Sequence, residues 1–520
     1  MNTPVHSPHS RYRAIAAFAR MLSVVVACLA TAGCAIDALD RAPSTALEPW
    51  RPAQVGPLSN MAGSEADAAR LEGFGVSAAP RIADMQRGPE LDLDTVYSLP
   101  QLIDIAQREH PSTRMAWNRA RQAALAVGVA EATFLPRLTA NVIGGWQRTS
   151  TPSPLTFDGR LSDIETNLSG AAPFLALEWL LFDFGQRRAL TEAAEHASYA
   201  ANVLYNGAHQ RIIHDVTHAF YAYAAAHSKL KIAEQALANS RRVVEAVQQR
   251  LQAGVATTVE LALARQQVAQ AELRRVNAQG VERNTYQGLL AAAGLPPTSR
   301  IRIGGLKERE LPRTTTTLTQ EAVQGALARR PDLQASYAAL AAAKAGVTAA
   351  EADFLPKVYL AAIAGGNRNR FEVGHLPGIQ HRSSTSAVLV GVTLPLYDAG
   401  MRAARLKDAE IHVDNARKTF EEVQRDIVRE IVLAESTLHS ALESYHAAGE
   451  LVEVATVAHD AALEAYQHGV GTITVVTETA TSLLDAREAR SDAYAASLSA
   501  AANLAFVMGK MTSERESWIN

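Results

Sequence analysis

Apolar residues, mostly Ala and Leu, recur at three-to-four spacing over about 99–133 and 318–353, the period of a helix with one buried face. Each stretch runs into a proline, at Phe134-Leu135-Pro136 and Phe354-Leu355-Pro356, and proline is poorly tolerated inside a helix. The period then switches to two. Leu138–Gln147 and Phe174–Leu181 alternate, with Leu175, Leu177, Trp179 and Leu181 pointing one way and Ala176, Glu178 and Leu180 the other. Val358–Gly366 and Ala387–Leu394 do the same, with Val388, Val390, Val392 and Leu394 on one face. Polar loops near 148–170 and 367–386 separate the members of each pair. Eight to ten alternating residues is about what a tilted membrane strand needs. An Asp-x-Gly turn follows each pair, and helical periodicity then runs over about 187–253 and 402–468. Helices of that length would reach about 100 Å, far beyond the needs of a globular domain. They break at Gly254 and Gly469, and shorter helices return to Gly294 and Gly509.

The order of these patterns is the same in both halves. Phe134-Leu135-Pro136-Arg137 returns as Phe354-Leu355-Pro356-Lys357. Leu181-Phe182-Asp183-Phe184-Gly185 returns as Leu396-Tyr397-Asp398-Ala399-Gly400, and Leu251-Gln252-Ala253-Gly254-Val255 as Tyr466-Gln467-His468-Gly469-Val470. Gly294 returns as Gly509. The last three landmarks share one offset, slightly smaller than that of the first. One internal duplication explains all four, with a shorter loop in the second copy. Each copy supplies two strands. Four strands cannot close a barrel, and open edges cannot be satisfied in lipid, so several chains must combine. Three chains would give twelve strands.

Composition narrows the picture. A net charge of -3 with 20% charged residues gives no basic footprint for nucleic acid. A mean hydropathy of -0.05 is too low for a bundle of membrane helices, and past the first 35 residues no run of about 20 apolar residues occurs. Any spanning falls to the strands. The N-terminus carries Arg11, Arg13 and Arg20, then an apolar run from Met21 to Ala30 and small residues, the pattern of a secretory signal. Two cleavages fit: ordinary processing after Ala30-Thr31-Ala32, or lipoprotein processing at Ala32-Gly33-Cys34, which would leave Cys34 acylated. Cys28 and Cys34 are the only cysteines, so either cleavage leaves a mature chain without a disulfide.

Over about 92–510 these motifs resemble the TolC family of outer-membrane factors. Thr393-Leu394-Pro395-Leu396-Tyr397-Asp398-Ala399-Gly400 matches the family's strand-to-helix motif in full, and Trp179-Leu180-Leu181-Phe182-Asp183-Phe184-Gly185 matches it without the Pro. The family's Gly-Val-x-Thr stands at Gly254-Val255-Ala256-Thr257 and Gly469-Val470-Gly471-Thr472. The resemblance implies a mainly α fold with membrane β. It would be a trimeric 12-stranded β-barrel, four strands per chain, continued by a long periplasmic α-helical barrel. The organisation is then a signal peptide over 1–33, a lipidated linker over 34–91, and a first repeat over 92–297 with its hairpin near 138–181 and helices near 187–253 and 258–293. A linker over 298–317, a second repeat over 318–510 with hairpin near 358–394 and helices near 402–468 and 473–508, and a tail over 511–520 complete it.

The implied function is passive: the outer-membrane channel of a tripartite efflux system, exporting drugs or metals. Its partners would be two further copies, a periplasmic adaptor, outer-membrane lipid, and an inner-membrane pump of the resistance-nodulation-division or ABC type. No cofactor or catalytic group is needed. The lipobox favours the efflux branch, while the outer channel of a type I protein secretion system uses the same fold. A periplasmic coiled-coil lipoprotein without a pore is the third class. Gly254, Val255, Thr257, Gly469, Val470 and Thr472 mark the helix turns, which in the family resemble the adaptor's docking edge, although glycine commonly does no more than end a helix. Glu260 and Glu478 stand just beyond, where three-fold repetition would make rings of carboxylate at a gate. The family's other gate positions are Val475 and Gly471 here. His214-Asp215-Val216-Thr217-His218 has a zinc-like spacing but lacks the catalytic Glu and a third ligand.

Overall fold

The computed structural model describes residues 46–47, 89, 91–157, 160–306, 308–313, 318–373 and 377–511, and the side chains of these except 152–164. From Pro89 on they belong to one compact unit. Strand β1 (Val96–Tyr97) leads to α1 (Leu99–Glu109), α2 (Pro111–Ala132), β2 (Arg137–Phe157), β3 (Arg160–Phe182), α3 (Gln186–Gln252) and α4 (Thr258–Ala292). Strand β4 (Arg302–Ile303) opens the second series: α5 (Gln320–Arg329), α6 (Pro331–Ala352), β5 (Lys357–Val373), β6 (Ile379–Thr393), α7 (Met401–Gln467) and α8 (Ile473–Val507). Both long helices have 67 residues and both returning helices 35.

Three features differ from the sequence pattern. The opening helical stretch of each half is two helices, because Pro111 and Pro331 hold the residue before them out of the helical region, His110 at φ -68°, ψ 128° and Arg330 at φ -72°, ψ 120°. The segment 298–317, read as a linker, contributes β4, which pairs in parallel with β1. The polar stretches near 148–170 and 367–386 are largely strand rather than loop. Arg148 pairs with Asn167, Thr149 with Thr166, Asn367 with Ser383 and Arg368 with Arg382. Backbone ladders do not require apolar side chains, so they continue after the apolar alternation stops.

The four long strands form one antiparallel sheet in the order β2-β3-β5-β6. Residues directly opposite one another share a face, which sorts the side chains. One face carries Leu138, Ala140 and Val142 on β2, Leu175 and Leu177 on β3, Leu360, Ala362 and Ala364 on β5, and Val388, Val390 and Val392 on β6. Trp146 and Trp179 bracket this apolar stretch on the first hairpin. The opposite face is mixed: Arg137, Asn141, Glu178, Lys357, Thr385 and Thr393 stand among small residues and the larger Ile143, Phe174, Tyr359, Ile363 and Leu389. Strands β2 and β6 are the two edges.

Helix α3 packs along α4, α2, α6 and α8, while α7 packs along α6 and α8. A cluster of fully covered side chains, including Leu102, Ile213, Val216, Leu289, Leu290, Tyr494 and Leu498, joins the middle of α3 to α1 and the ends of α4 and α8. Its counterpart holds Ala326, Ile427, Ile431 and Met508. Ile427 and Ile431 stand where the second repeat places the counterparts of Ile212 and Val216, so the duplication extends into the core.

Sheet and helices meet at a joint built twice. Phe184 and Gly185 both have positive φ, as do Ala399 and Gly400, so the chain turns through the left-handed region before each long helix. Asp183 holds the turn: one carboxylate oxygen accepts from Gly185 N (3.3 Å), the other from Arg187 N (3.0 Å) and Arg187 Nε (2.8 Å). Arg187 lies 4.6 Å over the Phe134 ring and donates to the Thr133 carbonyl at 2.9 Å. Asp398 accepts from Gly400 N, Arg402 N and Arg402 Nε in the same way, and Arg402 lies 5.2 Å over Phe354. The Phe-Leu-Pro and Asp-x-Gly landmarks are therefore two sides of one contact.

The first pair is nearly inaccessible, at 8% and 6% side-chain exposure, and the second is more open at 10% and 23%. Arg187→Ala strands a buried carboxylate and should destabilise the folded chain by about 3 kcal/mol or more. Arg402→Ala should have the smaller effect, with urea unfolding of the refolded proteins as the measurement. The hydrogen bond from Arg402 holds the Asp398 carboxyl below its ordinary value of 3.8. A lowered folded-state value gives stability that is complete above the unfolded value and lost as pH falls through the folded one. The second joint should therefore be intact at about pH 5 and loosen only below about pH 4, read as faster amide exchange at the start of α7.

Candidate functional site at the helix turns

Helices α3 and α7 end in the same hydrogen-bond pattern. Gly254 N donates to Leu251 O and Val255 N to Arg250 O; Gly469 N donates to Tyr466 O and Val470 N to Ala465 O. This double closure requires a left-handed residue after the cap, met by Gly254 at φ 73° and Gly469 at φ 81°. The apolar residue that follows is left in solvent: Val255 is 62% exposed and Val470 84%.

The two turns then diverge. Thr257 opens α4 with a full capping box: its N–H donates to Glu260 Oε2 at 2.6 Å, and Glu260 N donates to Thr257 Oγ1 at 3.2 Å. Thr472 opens α8 without a side-chain cap. The third helical residue there is Val475, which cannot complete a box. Glu478 is exposed and makes no ion pair or side-chain hydrogen bond among the described residues. Of the two candidate gate acids, Glu260 is already committed to its own helix and Glu478 is not. Gly471 is held by space, because a Cβ there would stand 2.9 Å from Tyr466 N and 3.0 Å from the Ala465 carbonyl carbon.

A contact with no counterpart in the sequence pattern ties the turns together. Arg250 Nη1 donates to the carbonyls of Tyr466 (3.1 Å) and Gln467 (3.3 Å), and its guanidinium lies 4.8 Å from the Tyr466 ring centroid. The cation thus sits on the carbonyl end of α7, where a positive charge is favoured. Val247, Ala264, Tyr466, Ile473 and Val476 form the apolar cluster beneath. Burial pushes the Tyr466 phenol up, Glu260 adds to this, and Arg250 opposes it. The only sequence signal is the placement of Arg250 and Tyr466 three or four residues before the turn glycines. Nothing local pairs them across 216 positions.

Farther from the turns, Gln267 donates to Thr481 at 3.2 Å, Arg274 pairs with Asp485 at 2.6 Å and Lys229 with Asp492 at 2.7 Å, joining one hairpin to the other. The His214 ring lies 4.6 Å from Phe506 and its Nδ1 is 3.0 Å from Asp215. His214 and His218 stand 6.3 Å apart, and among the described residues no group of three metal-binding side chains assembles. Cys34 and the leader lie outside the described residues.

The unequal caps give a direct test. Thr257→Ala should weaken the start of α4 by about 1 kcal/mol, roughly a fivefold rise in amide exchange there. Thr472→Ala should leave exchange at the start of α8 nearly unchanged.

Residues 102–295 and 322–510 match the profile of the outer membrane efflux protein family. Protein CyaE of Bordetella pertussis is 27% identical over 433 residues, spanning 82% of this chain and 86% of that protein. Outer membrane protein OprJ of Pseudomonas aeruginosa is 26% identical over 337 residues, 64% of this chain and 67% of that one. In fold, the Campylobacter jejuni CmeC outer membrane channel superposes with a TM-score of 0.65 at 18% identity, covering 80% of this chain and 87% of its own. No described helix is long and apolar enough to cross a membrane. The matched segments cover most of the two repeats, and the chain belongs to the outer membrane efflux protein family.

Proposed function

We propose that the chain is the outer-membrane channel of a tripartite efflux system, a passive conduit for small toxic compounds such as drugs or metals. The observation that carries this reading is the four-stranded sheet with one apolar face, one mixed face and two open edges. Unpaired backbone groups in lipid cost several kcal/mol each, so β2 and β6 need partners. Three copies supply them as a closed barrel of twelve strands, with the Arg137 and Glu178 face lining water. The 67-residue helices continue the tube through the periplasm for about 100 Å. An inner-membrane pump of the resistance-nodulation-division or ABC type provides the energy, and a periplasmic adaptor joins pump to channel. Cys34, at the Ala32-Gly33-Cys34 processing site, is the proposed lipid anchor.

The turns carry two roles in this reading. Val255 and Val470, with Gly254, Thr257, Gly469 and Thr472, offer exposed apolar knobs to the adaptor. Glu478 supplies a free carboxylate ring in the trimer, and Glu260 a second one fixed by its cap. Arg250 holds the two hairpins of each chain together, so opening must part it from the end of α7.

Purified protein should run as a heat-modifiable trimer with single-channel conductance in planar bilayers; a non-conducting monomer overturns the channel reading. Glu478→Gln should reduce cation selectivity more than Glu260→Gln, and Arg250→Ala should raise conductance. Equal conductance and selectivity in all three variants would remove the gate from these residues. Single-Cys variants at Val255 and Val470 should crosslink to the cognate adaptor, and a complete lack of crosslinks would dismiss docking there. Deletion should sensitise cells to small toxic compounds. Loss of an exported protein with unchanged sensitivity would point to type I secretion instead.

A further inference from the structure

The apolar face of the sheet ends abruptly at two arginines. On β5 the series Val358, Leu360, Ala362, Ala364, Gly366 is followed by Arg368, and on β6 the series Val392, Val390, Val388, Ser386, Ser384 is followed by Arg382. Arg368 and Arg382 are register partners, so their side chains leave the same face from directly opposed positions, with Cβ atoms about 5 Å apart. Both are exposed, and neither side chain makes an ion pair or hydrogen bond among the described residues. Arg370, on the same face, is engaged by Glu372 at 3.1 Å.

The first repeat shows what neutralisation at this position looks like. Arg148 is the repeat counterpart of Arg368, related to it by the same offset as Pro136 to Pro356. Its register partner is Asn167, which is related to Arg382 by the same offset as Gly185 to Gly400. Arg148 is paired with Glu165. The counterpart of Glu165 in the second repeat is Gln380. The second hairpin has thus exchanged the acid for an amide and added a second cation. Like charges directly opposed across strands destabilise a sheet, so this pair needs an anion from outside the chain.

We propose that Arg368 and Arg382 form a binding site for the phosphate of a lipid headgroup in the outer leaflet. The proposal rests on the membrane-barrel reading above. The series from Val358 to Gly366 spans about 27 Å along the strand, close to the height of a barrel's apolar band once tilt is included. The arginines sit at its end away from the helices, where lipid headgroups begin. Two guanidinium groups suit a phosphate monoester, whose oxygens accept paired N–H donors. The acyl chains of the same lipid would lie on the Leu360, Ala362, Val388 and Val390 surface below.

The test uses the full-length trimer in phosphatidylcholine nanodiscs doped with bisphosphorylated lipid A, followed by native mass spectrometry of retained lipid. Wild-type protein should retain lipid A over its dephosphorylated form. The double variant Arg368→Ser with Arg382→Ser should retain roughly tenfold less, whereas Arg148→Ser should behave as wild type. The double variant loses no internal contact, and its heat-modifiable trimer band checks folding. Equal retention by wild type and double variant, or by both forms of lipid A, overturns the proposal. Competition by inorganic phosphate as strong as by the lipid would reassign the site to free anions. Failure of the wild-type protein to insert into the discs would overturn the barrel reading itself, and this proposal with it.

Discussion

A strand leaving the sheet has three residues in which to become a helix 67 residues long. That passage depends on one carboxylate and one guanidinium. Asp183 accepts from the first free amides of α3, as a helix N-terminus favours, and binds Arg187 at the same time. Arg187 in turn covers Phe134 and takes up the Thr133 carbonyl at the end of α2. Three elements therefore share one buried contact: the helix entering the sheet, the strand leaving it and the long helix beyond. The second copy repeats the contact through Asp398, Arg402 and Phe354. Sheet and helices are consequently fixed to each other at two points, and a tube can continue from one into the other.

The sheet sets the opposite constraint. Its three interior ladders pair four strands, but β2 and β6 end it with unpaired backbone. The apolar face is unsuited to water and the open edges are unsuited to lipid, which is why the proposed function makes the single chain a wedge of a larger wall. On the other face Gly391 leaves room for the Tyr359 ring, within 2.3 Å of where a Cβ would stand. The helices face less stringent demands. They bury modest apolar side chains, Ala above all, and add exposed cross-hairpin pairs such as Arg274 with Asp485.

Legibility in the sequence followed locality. The long helices, their reversal at Gly254 and Gly469 and the four strands were readable because periodicity and turn glycines act over a few residues. The strand ends were not, because Arg148, Thr149 and Asn367 are held by backbone pairing that leaves no side-chain signature. The helix breaks had a local signal in Pro111 and Pro331, masked by apolar periodicity that continues on both sides of each. Arg187 and Arg402 carry a local signal, since each follows its turn glycine by two residues. Arg250 and Tyr466 carry only their placement before the turn glycines, which does not pair them, since their contact exists only after two hairpins, far apart in the chain, lie side by side. Among the candidate site residues, Thr257 of the docking edge and Glu260 of the gate also hold each other in a capping box.

The duplication keeps joints and lets turns drift, and physical cost explains why. A change at Asp183 or Arg187 strands a buried partner, so both copies keep the pair. A change at the start of α4 exposes one amide to water, a loss of about 1 kcal/mol that packing below can absorb, and α8 has no side-chain cap to lose. Thr257 keeps its box with Glu260, whereas Thr472 faces Val475 and leaves Glu478 free one turn on. The acid of the pair without a helix-capping duty is thus in the second copy. The arginine that joins the two turns is in the first copy and donates to the carbonyls of the second. One copy supplies the fastening and the other the unattached charge, so the two hairpins of a chain cannot exchange roles even though they share a fold.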